Sequence, residues 1–130
     1  MLRTLSHLAA TAVLLVGISI LTPDRAESTD MHLRLTKSQP GKDSLLASAP
    51  TQICLWYSQE PQLRLSSVTL TGPQGAVQLG KVTQSPADSS LLVTQIEGAM
   101  VGGDYTIAWR TASADGHVIR GTIPFSVRPE

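Results

Sequence analysis

Three side chains of this 130-residue chain could together bind a transition metal: His32, Asp115 and His117. Asp115 and His117 are two residues apart, so in an extended chain both project to the same side, and Gly116 between them permits a bend. Two imidazoles and one carboxylate suit Cu(II), with Zn(II) and Ni(II) as weaker candidates. By spacing alone, an Asp-Gly-His turn is more often a solvated loop whose aspartate caps backbone amides, so both interpretations stay open.

Other chemistry has little support in the sequence. The single cysteine, Cys54, excludes an intrachain disulfide and a multi-cysteine metal site, and we expect it to be a buried small hydrophobe. Ser113, Asp115 and His117 are too close on one loop for a hydrolytic triad, and no oxyanion motif or phosphate-binding glycine loop is evident. Ten basic and ten acidic residues balance, which argues against nucleic-acid binding. We therefore expect no enzyme and no nucleic-acid partner.

The elements that must position these residues are predicted to be short strands. Apolar and polar residues alternate in six segments, near His32, Val68, Val77, Leu91, Tyr105 and Ile119, and a nearly all-apolar run near Ile53 is expected of a strand covered on both sides. Glycine- and proline-rich turns separate them, and about seven strands over roughly 100 residues is typical of an all-β, single Greek-key β-sandwich of the cupredoxin or immunoglobulin kind. The first strand of a sandwich often lies beside a late one, which would bring the two histidines to one end. A helical turn around Leu45-Leu46 is a weaker prediction, and Trp56 and Trp109 are expected in the core.

Residues 1–28 have the pattern of an export signal. Arg3 is the only charged residue before Asp24, and a mostly apolar run of about 14 residues follows it, short of the roughly 20 that span a membrane. Cleavage near Ala26 or Ser28 would leave a domain of residues 29–130. An uncleaved anchor is the alternative, and export follows on either interpretation. Beyond this segment we expect no lipid binding.

Over nearly all of its mature part, the chain resembles the CopC family of periplasmic copper-binding proteins. The segments that carry the resemblance are His32-Leu33-Arg34-Leu35, Ile53-Cys54-Leu55-Trp56-Tyr57-Ser58, Tyr105-Thr106-Ile107-Ala108-Trp109-Arg110, Ser113-Ala114-Asp115-Gly116-His117 and Gly121-Thr122-Ile123-Pro124-Phe125. The resemblance implies a cupredoxin-like sandwich that binds Cu(II) through His32, Asp115 and His117. It also implies a periplasmic role in copper buffering, resistance or delivery to a membrane copper transporter, such as one of the CopD type.

The chain departs from the family pattern at its first histidine. In typical members that histidine is the mature N-terminus, so its amine and its ring both bind copper. Here His32 follows Met31, and neither expected cleavage exposes it. If trimming instead produced a chain that begins at Asp30, the amine, two backbone amides and the His32 ring would form a square-planar nitrogen set. A metal-free sandwich that has lost the site, and serves as a binding or structural module, is the alternative function.

Two further departures from the family pattern concern the ligands of Cu(I) and the residues that support the metal ligands. The methionine-rich loop that some members use for Cu(I) is missing, and Met100 is expected in the core or a turn. The family tends to carry a glutamate after its aromatic–serine pair, whereas this chain continues with Gln59 and Glu60. A supporting role behind the metal ligands therefore falls to Gln59 or Glu60.

Overall fold

Residues 32–130, which the computed structural model describes, fold into two packed β-sheets. The strands are β1 (Leu35–Gln39), β2 (Ser44–Leu46), β3 (Gln52–Tyr57), β4 (Ser67–Gly72), β5 (Gly75–Val77), β6 (Thr83–Gln84), β7 (Leu91–Gln95), β8 (Gly103–Ala112) and β9 (Val118–Val127). One sheet has the order β1-β3-β7-β6 and the other β2-β9-β8-β4-β5. A 3-10 helix, Leu63–Leu65, lies between β3 and β4. In this described range no helix is long and apolar enough to cross a membrane.

The predicted β-sandwich is confirmed, with differences in its short strands. β1 begins at Leu35, later than the predicted start at His32, and β2 and β6 were not predicted. β2 pairs in parallel with β9, with Leu45 opposite Ser126, so the expected helical turn around Leu45 is wrong. A three-residue strand whose partner lies far along the chain has no periodicity of its own, because pairing rather than local sequence forms it.

The core lies between the sheets and is built from alternate residues of the longer strands. Ile53, Leu55 and Tyr57 of β3 and Tyr105 and Ile107 of β8 are each at most 4% exposed. Successive side chains of a strand point to opposite faces, so this alternation turns one face of each sheet inward. The outer faces remain available to solvent and to ligands.

The two tryptophans lie in different environments. Trp109 is half-buried against the core, and its ring meets that of Tyr57 edge-on with centroids 5.6 Å apart. Trp56 lies on the outer face of its sheet, where the Lys37 ammonium is 4.6 Å from the ring centroid, so its expected core role is wrong. Cys54 is 5% exposed, as predicted, and burial raises the pKa of its thiol.

The β8–β9 hairpin positions the candidate metal ligands. Its ten-residue strands pair without a break from Gly103 opposite Val127 to Ala112 opposite Val118. The five residues 113–117 join the two strands at the tip. A long, fully paired hairpin with a buried inner face holds its tip loop in a fixed place at one end of the sandwich.

Candidate metal centre

The tip loop is a tight turn closed by backbone hydrogen bonds. The Ser113 N–H donates to the His117 carbonyl over 2.9 Å, and the Gly116 N–H donates to the Ser113 carbonyl over 2.9 Å. Gly116 has a φ of 89°, a left-handed conformation that glycine adopts without a Cβ penalty. The turn therefore needs its glycine, and it brings the side chains on either side of Gly116 together.

Asp115 and His117 form a hydrogen-bonded pair at the surface. Nδ1 of His117 lies 2.6 Å from Oδ2 of Asp115, while the side chains stay 84% (His117) and 63% (Asp115) exposed. Because Nδ1 faces the carboxylate, Nε2 is the ring nitrogen turned toward solvent. A carboxylate on one imidazole nitrogen fixes the ring and strengthens the other nitrogen as a metal ligand.

The Asp115 carboxylate is also held by two donors of its own loop. Its Oδ1 accepts hydrogen bonds from the Ser113 hydroxyl and, over 3.3 Å, from the His117 N–H. The Ser113 hydroxyl contributes most, followed by the His117 side chain and backbone, and together they lower the pKa of Asp115 to about 2. The loop thus presents an ionised carboxylate at neutral pH, next to an imidazole.

His32 lies at the same end of the sandwich as the tip loop. Its carbonyl accepts a hydrogen bond from the Ser58 hydroxyl, just past the end of β3, over 3.3 Å. Four residues on, the Gln62 N–H donates to the Ala112 carbonyl over 2.9 Å, and Nε2 of Gln62 donates to the Ser113 carbonyl over 2.6 Å. The segment 58–62 therefore links the chain at His32 to the base of the tip loop.

The structure brings Asp115 and His117 together but does not add His32 to them. Within residues 32–130, no three His, Cys, Asp or Glu side chains are grouped closely enough to hold a metal ion as they stand. β1 pairs with β3 and not with a late strand, so the expected route to a shared end was wrong. His32 is exposed, and its part in a three-ligand site stays a prediction.

Gln59 and Glu60 lie in the linking segment 58–62, and both are exposed. Oε1 of Glu60 accepts a hydrogen bond from Nε2 of Gln84 over 3.2 Å, which ties Glu60 to β6. Their supporting role stays a prediction.

Ser113 and Gln62 hold the tip loop in place but were not predicted to do so. The Ser113-to-Asp115 spacing is typical of a local side-chain turn and could have revealed Ser113, whereas nothing near Gln62 in the sequence indicates its partner.

Comparison with known proteins decides the family. The CopC domain matches residues 35–128, which is most of the chain. The chain belongs to the CopC family. This confirms the resemblance carried by the segments around Trp109 and the tip loop.

Individual relatives agree with this membership. The chain is 27% identical to protein YobA of Escherichia coli strain K12 over 118 residues, which are 90% of this chain and 92% of YobA. It is 27% identical to copper transport protein CutJ of Bacillus subtilis strain 168 over 97 residues, which are 74% of this chain and 18% of CutJ. The crystal structure of PcoC, a methionine-rich copper resistance protein from Escherichia coli, aligns with a TM-score of 0.66 at 31% identity, over 75% of this chain and 99% of PcoC.

A copper-related function follows from membership in the CopC family, whose members bind copper and are not known as enzymes. Methionine content separates this chain from PcoC. The whole chain has three methionines, and Met100, which lies within the described residues, packs half-buried against the core as predicted. Within the described residues, the exposed nitrogen and oxygen donors of the tip loop are therefore the candidate ligands, and the Met100 thioether is not.

Proposed function

We propose that this protein binds Cu(II) in the periplasm and serves copper buffering, resistance or delivery to a membrane transporter. The observation that carries the proposal is the exposed Asp115–His117 pair, whose Nε2 faces solvent at the tip of a rigid hairpin in a CopC-family chain. Imidazole nitrogen and carboxylate oxygen are ligands that Cu(II) favours. An exposed pair also lets a partner protein reach the ion.

The proposed ligands are His32, Asp115 and His117. His117 contributes Nε2, and His32 closes the site by a movement of the chain that leads into β1. Asp115 contributes in one of two ways, because Oδ2 faces the His117 ring. It either turns to bind copper directly or stays in place and orients the imidazole from behind. Gln59 and Glu60, on the segment between the two histidines, support the site from the side.

Export and processing are part of the same proposal. Residues 1–28 act as the signal and residues 29–130 as the mature domain, and residues 1–31 lie outside the part that the structure describes. A mature chain that begins at Thr29 leaves His32 to bind through its ring alone, with water completing the site. Copper is then held by side chains alone and released more readily than from an N-terminal amine chelate.

The proposed partner is a membrane copper transporter, such as one of the CopD type. CutJ, a copper transport protein, matches 74% of this chain within 18% of its own length. A domain of this kind can therefore occur within a longer copper transport protein. We infer that the separate domain serves a similar transporter as a diffusible copper carrier.

Copper titration against a competing chelator tests the proposed function. The mature protein should take up one equivalent of Cu(II), with a visible d–d band and nitrogen hyperfine splitting in its EPR spectrum. Asp115→Asn should weaken binding about 10–100-fold without unfolding the domain, whether Asp115 binds copper or orients His117. Asp88→Asn is the matched control, since Asp88 is also exposed and accepts hydrogen bonds from a neighbouring serine, Ser90. Equal affinity in the Asp115 and Asp88 variants would remove Asp115 from the site.

A metal-free binding or structural module is the second candidate function. It is favoured by the separation of His32 from the Asp115–His117 pair within the described residues. On that hypothesis His117→Ala leaves copper retention unchanged, and any bound copper is removed by a weak chelator. The proposed copper function predicts the opposite, a clear loss of retained copper in His117→Ala.

A further inference from the structure

Two arginines stand directly opposite each other on the β8–β9 hairpin. Arg110 pairs in register with Arg120, and both are exposed on the outer face of the five-stranded sheet. Across residues 32–130 neither guanidinium forms an ion pair or a hydrogen bond to a side chain. The Asp104 carboxylate, on the same face of β8, accepts a hydrogen bond from the Ser126 hydroxyl and not from Arg110. Like charges directly opposite each other destabilise a sheet. The arginine pair therefore lowers the stability of the fold, and the needs of folding do not explain its presence.

The arginine pair lies in a shallow groove of small side chains. Both arginines line a groove of about 280 Å³ on the outer face, together with the small side chains of Ser67, Thr69, Ala108 and Thr122. No acidic residue of the described chain lines this groove. The near neutrality of the whole chain therefore hides a local excess of positive charge. We call this surface, Arg110, Arg120 and the groove that they line, the cationic face.

The cationic face lies next to the candidate metal loop. Ala112 and Val118, where the tip loop begins, form the pair that lies two residues along the hairpin from Arg110 and Arg120. At a rise of about 3.4 Å per residue this separation is about 7 Å along the hairpin. A molecule seated on the arginine pair would therefore reach the Asp115–His117 pair with its next residues.

We propose that the cationic face is the docking surface for a partner protein segment that alternates carboxylate and apolar side chains. Carboxylates pair with the two guanidiniums in a bidentate way, and an apolar side chain lies against Ala108 in the same groove. The inference deepens the proposed function, since it rests on delivery of copper to a partner and places that partner beside the copper loop. Charge complementarity selects an acidic protein segment because the described surface supplies cations and no competing carboxylate.

An NMR titration with defined peptides tests the docking surface. The probe is a short synthetic peptide that alternates glutamate and leucine, and its lysine–leucine counterpart is the control peptide. In copper-free protein, the acidic peptide should shift the signals of Arg110, Arg120 and Ala108, and the basic peptide should not. Raising the salt concentration to about 0.5 M should weaken binding about tenfold or more, because exposed charges are screened.

Charge reversal supplies matched variants. Arg110→Glu with Arg120→Glu should abolish the shifts, and Arg110→Gln with Arg120→Gln should reduce affinity about tenfold or more, which covers the case where charge reversal disturbs the hairpin. Lys81→Glu with Arg128→Glu carries the same change in net charge at exposed cations outside the cationic face and should bind as wild type does. Equal losses in the two charge-reversed variants would overturn the proposal, as would shifts that map to another surface.

Binding of the cationic face to either of two other partners would also overturn the proposal. Preferential binding of the cationic face to phosphatidylglycerol vesicles, with no peptide binding, would make it a membrane contact. Concentration-dependent dimerisation that Arg110→Glu abolishes would make it an interface between copies of this chain. The peptide titration uses copper-free protein, so its failure is distinct from a failure of the copper titration.

Discussion

At the scale of single residues, Ser113 lowers the pKa of the carboxylate beside it. The hydroxyl donates to Oδ1 of Asp115 and is the first cause of the low pKa of that group. A depressed carboxyl pKa means that the ionised form is favoured in the folded loop. The loop contact is therefore present above the ordinary carboxyl pKa of about 3.9 and is lost only as the pH falls toward about 2.

Ser113→Ala is therefore expected to raise the pKa of Asp115 toward the ordinary aspartate value of about 3.9. A carbon-detected NMR titration of the aspartate side chains measures this shift. Ser126→Ala is the control, because the Ser126 hydroxyl donates to Asp104 over 2.6 Å and lies away from the loop. An Asp115 pKa that stays at about 2 in Ser113→Ala would show that His117 alone sets it.

Cys54 gives a second prediction at this scale. Its thiol is buried and its pKa is raised by burial, so little thiolate is available and a reagent cannot reach it. Native protein at pH 8 should react with a disulfide reagent far more slowly than protein unfolded in guanidinium chloride. Comparable rates in the two conditions would place Cys54 at an accessible site and contradict its burial.

At the scale of elements, the β8–β9 hairpin depends on close contact between Gly121 and Trp109. The two residues are opposite each other in register, and a Cβ at Gly121 would lie 2.7 Å from the Trp109 ring. Gly121→Ala should therefore destabilise the domain by about 1–3 kcal/mol, since the ring must move within a packed region.

Chemical denaturation measures this loss. Gly41→Ala is the matched control because the nearest atom to its added Cβ is 3.9 Å away, and it should change the unfolding free energy by less than about 0.5 kcal/mol. If Gly121→Ala unfolded at the same denaturant concentration as Gly41→Ala, Trp109 would be free to move and the hairpin less tightly packed than described.

The elements also show how far sequence can predict this structure. The long strands β8 and β9 alternate over enough residues for periodicity to reveal them, β3 was predicted from its apolar run, and the Asp-Gly-His turn was found from its glycine. β2 is short and formed by a distant partner, so local sequence indicated a helical turn there. Gln62 reaches Ser113 across 51 residues of chain, a contact that no local pattern encodes. Trp56 was predicted in the core because aromatic residues are usually buried. Side-chain direction alternates along β3, however, and turns Trp56 to the outer face.

At the scale of the whole molecule, the mature N-terminus decides how His32 binds. A chain that begins at Thr29 should lose copper in His117→Ala, because its ligands are side chains from both ends of the site. A chain trimmed to Asp30 would keep copper in that variant, through amine, amide and imidazole nitrogens. The intact mass of the exported protein, with and without copper, gives the first residue and the copper stoichiometry together. We expect a mass that begins at Thr29 and a single copper ion.

Counting the imidazoles on the ion tests the copper site most directly. Pulsed EPR on the mature protein, loaded with one equivalent of Cu(II) and labelled with ¹⁵N-histidine, detects each coordinated ring. Joint binding by His32 and His117 predicts two rings in the wild-type protein, and at most one ring on any copper that His32→Ala or His117→Ala still binds. A spectrum with no coordinated imidazole, or one that neither substitution changes, would contradict the site.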